Sequence, residues 1–155
     1  MTQLKYDLYQ GAAHAGLLYD IEPHRIVTNA AEGAIPFGRA VVAGTDAEKQ
    51  VMLPDPSGLE KFRGVAKSTW AQEQDLTGEG QYKDKAAVNV MKQGVIWVEV
   101  NQNVLVDDPV YFVFTAGADL GKFRKDNTGA ELVPTGVFRS SANSGELAQL
   151  EINLP

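Results

Sequence analysis

The feature that most constrains how this chain folds is the spacing of its apolar residues. After Pro23 they occur in short runs, rich in β-branched side chains and separated by Gly, Pro, Asn and Asp. Such runs, at spacings of roughly 8–12 residues, are typical of sandwiches and barrels. No long window sustains the 3.6-residue period of an amphipathic helix. The sequence therefore predicts an all-β fold, a single β-sandwich or barrel.

We expect strands within residues 25–28, 37–43, 50–53, 61–66, 104–106, 110–114, 136–139 and 147–154. The clearest alternation lies on either side of Gln93 and Gly94, a pair that predicts a tight hairpin between two strands. The second of these, residues 95–100, is apolar on both faces, as in a sandwich core or an oligomer interface. Four aromatic residues of these runs are predicted to fill the core: Trp97, Tyr111, Phe112 and Phe114.

Residues 1–24 differ from the rest of the chain. Gly11, Gly16 and Pro23 interrupt their pattern, which predicts an extended N-terminal arm with one short strand, followed by a β-domain over residues 25–155. An edge strand of the same domain is the alternative. Because arms become ordered by lying on another surface, their apolar residues are candidate protein contacts, together with two aromatics beside polar loops: Leu4, Tyr6, Leu8, Tyr9, Leu17, Leu18, Tyr19, Trp70 and Tyr82.

Charge and composition exclude several functions. The net charge is −6, and the 14 basic residues are scattered among 20 acidic ones, so we expect no nucleic-acid partner. The chain has no cysteine, which excludes disulfides and thiol nucleophiles. No apolar run approaches the roughly 20 residues of a membrane span. The N-terminus lacks the features of a signal peptide, which predicts synthesis in the cytoplasm.

The sequence contains no recognisable catalytic pattern. His14 and His24, with Asp20 and Glu22, match no metal-binding spacing, so we predict no metal and no cofactor. Asp107 and Asp108 precede a proline, as acidic residues of turns often do. Two alternatives stay open: a small hydrolase that uses Asp107 or Asp108, and a carbohydrate-binding β-sandwich with Trp70 and Tyr82 as an aromatic platform.

Several segments of the chain resemble the structural cement proteins of tailed-phage capsids. Their order and spacing agree over most of the chain: residues 16–20 (GLLYD), 34–42 (AIPFGRAVV), 49–54 (KQVMLP), 62–66 (FRGVA), 87–98 (AVNVMKQGVIWV) and 145–152 (GELAQLEI). The chain departs from the family pattern before Gly16, and at Asp107 and Asp108, where members often carry glycine.

The resemblance implies a jelly-roll-like or β-tulip-like sandwich or barrel, and a non-enzymatic protein of the virion. It implies a homo-oligomer, with a trimer favoured over a dimer, that binds the major capsid protein on the outside of the assembled shell. Such a protein stabilises the shell by bridging neighbouring capsomers. The resemblance supplies no catalytic residues.

Overall fold

The computed structural model describes residues 13–56, 61–69 and 80–155, and these residues are all-β, without an α-helix. This confirms the predicted fold class. The strands in chain order are β1 (Arg25–Ala31), β2 (Ile35–Pro36), β3 (Ala40–Ala43), β4 (Gln50–Met52), β5 (Phe62–Ala66), β6 (Gln81–Tyr82), β7 (Ala87–Glu99), β8 (Pro109–Val113), β9 (Phe123–Arg124), β10 (Ala130–Phe138) and β11 (Leu147–Asn153). Over the same residues, no helix is long and apolar enough to cross a membrane.

One sheet carries the fold. Its order is β1-β4-β3-β5-β7-β11-β10-β8-β9, and β1 also pairs with β7. That extra pairing closes β1, β4, β3, β5 and β7 into a five-stranded barrel. Closure removes exposed strand edges. The remaining strands extend the sheet beyond β7, and β2 pairs with β6 in a separate two-stranded sheet.

Strand β7 corrects the predicted hairpin at Gln93 and Gly94. The chain runs straight through these residues as one strand of 13 residues. Its first half pairs with β1 and β5, and its second half pairs with β11. Gly94 has φ +126, and β1 shifts register opposite this point. The glycine therefore marks an irregularity inside a strand and not a turn. The hairpin prediction was wrong because each half of β7 pairs with strands from distant parts of the chain.

The strands beyond β7 curl back toward it. Val100, directly after β7, forms a parallel bridge with Phe123 of β9. The Asn101 N–H donates to the Phe123 carbonyl oxygen at 3.1 Å. This extension therefore ends beside the strand from which it starts, and it encloses apolar side chains as the barrel does.

Two apolar cores lie on opposite faces of the barrel strands. Along β3, Ala40 and Val42 belong to one core and Val41 to the other. The smaller core contains Ala31, Ile35, Val41, Val51, Ala66, Tyr82, Val88 and Val90. The larger core continues into the extension, where Phe62 of β5 stacks on Phe112 of β8 with ring centroids 5.1 Å apart. Both faces of β3 are buried for this reason.

Of the four aromatics predicted to fill the core, Phe112 is fully buried. Trp97, Tyr111 and Phe114 are only partly buried. For Trp97 the reason is its position in β7: its neighbours Ile96 and Val98 point into the core, so Trp97 faces outward.

Candidate contact surfaces

Residues 16–19 form a short strand-like addition along the second half of β7. The Gly16 N–H donates to the Trp97 carbonyl oxygen at 2.8 Å, and the Trp97 N–H donates to the Leu17 carbonyl oxygen at 2.9 Å. The Tyr19 N–H donates to the Val95 carbonyl oxygen at 3.0 Å. This end of the predicted arm is therefore held by backbone hydrogen bonds in the same chain.

The three predicted contact residues of this segment differ in exposure. Leu18 packs against the larger core, and Leu17 is partly buried. Tyr19 is 42% exposed and meets the Trp97 ring edge to face, with centroids 5.9 Å apart. Of these three, Tyr19 presents the most surface to another molecule.

The other predicted contacts divide into two groups. Leu4, Tyr6, Leu8, Tyr9 and Trp70 lie outside the described residues. Tyr82 is described, and its side chain is fully buried. It packs edge to face on Phe37 and donates its hydroxyl hydrogen to the Lys67 carbonyl oxygen.

Tyr82 is therefore a core residue and has no surface to offer a partner. Burial raises the pKa of its hydroxyl, although the hydrogen bond from the Asn89 N–H opposes this. The polar residues around it in sequence suggested a loop, but Tyr82 lies in β6, whose pairing with β2 places the ring over the smaller core. A carbohydrate platform therefore cannot include Tyr82.

Strand pairing shows which side chains share the outer face of the extended sheet. Residues that pair across antiparallel strands point to the same side. Trp97 pairs with Gln149, Glu151 with Val137, and Val137 with Pro109. Leu132 pairs with Tyr111, two residues beyond Pro109. We call this side the outer face; its described members include Trp97, Gln149, Glu151, Val137, Pro109, Tyr111 and Leu132.

An ion-pair network crosses the outer face. Arg139 contacts Glu22 at 2.8 Å and Glu151 at 3.6 Å. The hydrogen bond to Glu22 raises the pKa of Arg139. The network ties residue 22 to the end of β10 and to β11. Its groups are partly exposed, so its contribution to stability is small.

A second charged cluster lies around β9. The Lys122 ammonium contacts Glu99 at 2.7 Å and Asp119 at 3.0 Å. Burial alone would lower the pKa of Lys122, but the bonds to Glu99 and Asp119 raise it overall. The hydrogen bond from Lys122 in turn lowers the pKa of the Asp119 carboxyl. The cluster fixes the segment before β9 against the end of β7.

The histidines considered as metal ligands and the aspartates considered for catalysis make local contacts. The His14 imidazole lies 3.1 Å from the Ser68 hydroxyl, and the His24 ring lies 3.1 Å from the Glu22 carbonyl oxygen. Asp108 accepts a hydrogen bond from the Leu105 N–H at 2.9 Å, and Asp107 has φ +70. This is the turn geometry expected of acidic residues. Residues 13–56, 61–69 and 80–155 contain no group of three or more potential metal ligands.

The described residues form a closed barrel, a curled extension and an exposed outer face. The comparisons with known proteins identify its family. A profile of the structural cement protein family, described by E217 gp24 and Pam3 gp6, matches residues 2–153. The chain therefore belongs to the structural cement protein family, which confirms the resemblance seen in its sequence. It is a structural protein of the phage capsid, and it belongs to the virion.

Solved structures also resemble this chain. A chain from the capsid of Myoviridae phage XM1 has a TM-score of 0.79 and 23% identity, covering 96% of this chain and 94% of that one. This likeness supports the fold. The head fiber gp8.5 N base of bacteriophage phi29 has a TM-score of 0.46 and 14% identity, covering 84% of this chain and 94% of that one. No curated protein matches the chain.

Proposed function

We propose that this protein binds the outer surface of the assembled capsid as a homo-oligomer and stabilises the shell by bridging neighbouring capsomers of the major capsid protein. The observation that carries the proposal is membership of the cement family over residues 2–153. The protein acts through contacts alone, without a catalytic step. We favour a trimer over a dimer, and synthesis in the host cytoplasm before attachment.

The physical basis of this function is repetition. A shell that holds packaged DNA is under outward pressure, and a bridge between capsomers opposes their separation. A standard interface buries about 800 Å² per partner. Many bridges repeated over the lattice act together, so each one needs only modest affinity. A barrel without exposed edges also limits unwanted strand pairing between copies.

Purified protein mixed with expanded shells that lack it tests the proposal. We expect the protein to sediment with the shells and to raise the temperature at which they rupture. Light scattering of the free protein should give three times the monomer mass of 16.8 kDa. If the protein stays in the supernatant at every concentration, or binds without changing the rupture temperature, the proposed function is wrong. A dimer mass would correct the oligomeric state alone.

A further inference from the structure

One part of the outer face is exposed and apolar. It combines residues of β8 and β10 with the turn before β8. Leu105 is 62% exposed, Val106 51% and Leu132 50%. We call this the apolar patch; its members are Leu105, Val106, Pro109, Tyr111, Leu132 and Val137. Exposed apolar surfaces that form a contiguous patch are typical of binding sites.

Strand register places four members of the patch on one face. Leu132 is paired with Tyr111, and Val137 with Pro109, so these four side chains share one face. The Asp107 N–H donates to the Phe138 carbonyl oxygen at 2.9 Å. This bond places the turn that carries Leu105 and Val106 beside the end of β10. The opposite face of β8 carries Val110 and Phe112, which are buried in the larger core.

The rim of the patch is acidic. Asp107 and Asp108 lie in the turn beside it, and Glu151 pairs in register with Val137. On the far side Arg124 pairs in register with Tyr111, but it is neutralised by Asp126 at 2.9 Å. Arg139 lies between two carboxylates, Glu22 at 2.8 Å and Glu151 at 3.6 Å, so this group keeps a net negative charge. Negative charge therefore dominates around the apolar centre.

We propose that the apolar patch is the surface that docks on the shell, and that its partner is a capsid-protein surface with an apolar centre and a basic rim. The inference rests on the proposed function and names the site that performs it. A second copy of this chain is a poor occupant, because pairing two such patches would bring acidic rims together. Contacts between copies of this protein therefore lie elsewhere.

Binding of variants to expanded shells tests the patch. Leu132→Asp places a charge at the centre of the contact and should weaken shell binding at least about tenfold. Val106→Asp should act in the same direction, and it lies in an exposed turn outside the strands. The matched control is Ala47→Asp, which adds the same charge to an exposed loop between β3 and β4 and should leave binding within about twofold. Thermal unfolding confirms that each variant is folded.

The acidic rim has its own test. Asp107→Asn removes one charge and keeps a residue type that tolerates the left-handed backbone at this position. It should weaken binding about twofold at low salt, and wild-type binding should fall as salt is added. Binding that does not change with salt would contradict the proposal that the partner surface has a basic rim.

The outcomes separate this inference from the proposed function. Wild-type protein that does not bind shells would overturn both. If wild type binds shells and Leu132→Asp and Val106→Asp bind equally well, the apolar patch is not the docking surface. The proposed function would then still stand. A change of oligomeric mass in either variant without shells would show that the patch joins copies of this chain, which also overturns the inference.

Discussion

At the scale of single residues, the close pairing of β5 with β7 depends on a glycine. Gly64 has φ +143, and a Cβ built there would lie 2.2 Å from the Met91 carbonyl oxygen. A side chain therefore adds both backbone strain and a clash with the backbone of β7. We expect Gly64→Ala to lower the free energy of unfolding by at least about 2 kcal/mol, measured by urea denaturation.

The matched control is Gly117→Ala. Gly117 has nearly the same φ, +141, but its Cβ would meet nothing within 4 Å. This variant has the backbone strain without the clash, so it should lower the free energy of unfolding by about 1–2 kcal/mol. Equal losses in the two variants would show that the close approach of β5 to β7 is unimportant.

Asp126 should make stability depend on pH in the acid range. Hydrogen bonds from Gln102 and the Thr128 N–H, and its contact with Arg124, lower its pKa from 3.8 to about 2. Because the folded pKa is below the unfolded one, this stabilisation is present above about pH 4 and disappears as pH falls through about 2. Asp126→Asn should therefore have a lower Tm at pH 7 and converge with wild type near pH 2.

Gln102→Met tests the contact between Gln102 and Asp126 from the other side chain. It removes the largest cause of the pKa shift, a hydrogen bond of 2.6 Å from the Gln102 amide nitrogen. Its Tm should depend less steeply on pH between about 4 and 2 than that of wild type. Curves of Tm against pH that are parallel for all three proteins would contradict this account.

At the scale of elements, the barrel and the extension meet through two stacked rings. Phe62 and Phe112 lie 5.1 Å apart with an interplanar angle of 16°. A double-mutant cycle with Phe62→Leu and Phe112→Leu should give a coupling energy of about 0.5–1.5 kcal/mol, measured by urea denaturation. Phe37 packs against the smaller core, so a cycle of Phe37→Leu with Phe112→Leu should be additive. Coupling of the same size in both cycles would contradict a specific stack.

The elements that the sequence predicted best have an alternating pattern between clear turn signals. The final strand was expected at residues 147–154 and is Leu147–Asn153, and the first was expected from residue 25 and begins at Arg25. Strand β7 was harder to predict, because a glycine such as Gly94 gives the same local pattern whether it lies in a hairpin turn or inside an irregular strand. Its partners come from distant parts of the chain, and a local pattern holds no information about them.

Surfaces were harder to predict than strands. Runs that are apolar on both faces, such as residues 110–114, do not show which face is buried. Tyr111 was expected in the core and lies on the outer face, while Tyr82 was expected at a contact and lies in the core. In both cases the deciding factor is a cross-strand partner, Leu132 for Tyr111 and Ile35 for Tyr82. Register of this kind depends on the whole fold.

At the scale of the whole molecule, the shared strand β7 should make unfolding cooperative. The barrel cannot lose β7 without removing the strand on which β11 is paired. In a Trp70→Phe variant Trp97 is the sole tryptophan, and its fluorescence reports on β7. Its thermal transition should coincide with that of far-UV circular dichroism. Two separate transitions would show that barrel and extension unfold independently.

The seven register pairs between β11 and β7, from Leu147 with Glu99 to Asn153 with Gln93, also bear on how the protein carries force. A pull directed along these strands loads all the backbone hydrogen bonds of the ladder at once, in shear. They must then fail together, whereas a perpendicular pull would peel them apart singly. In the proposed bridging role, the protein would resist separation of its partners best when the tension between them runs along β7.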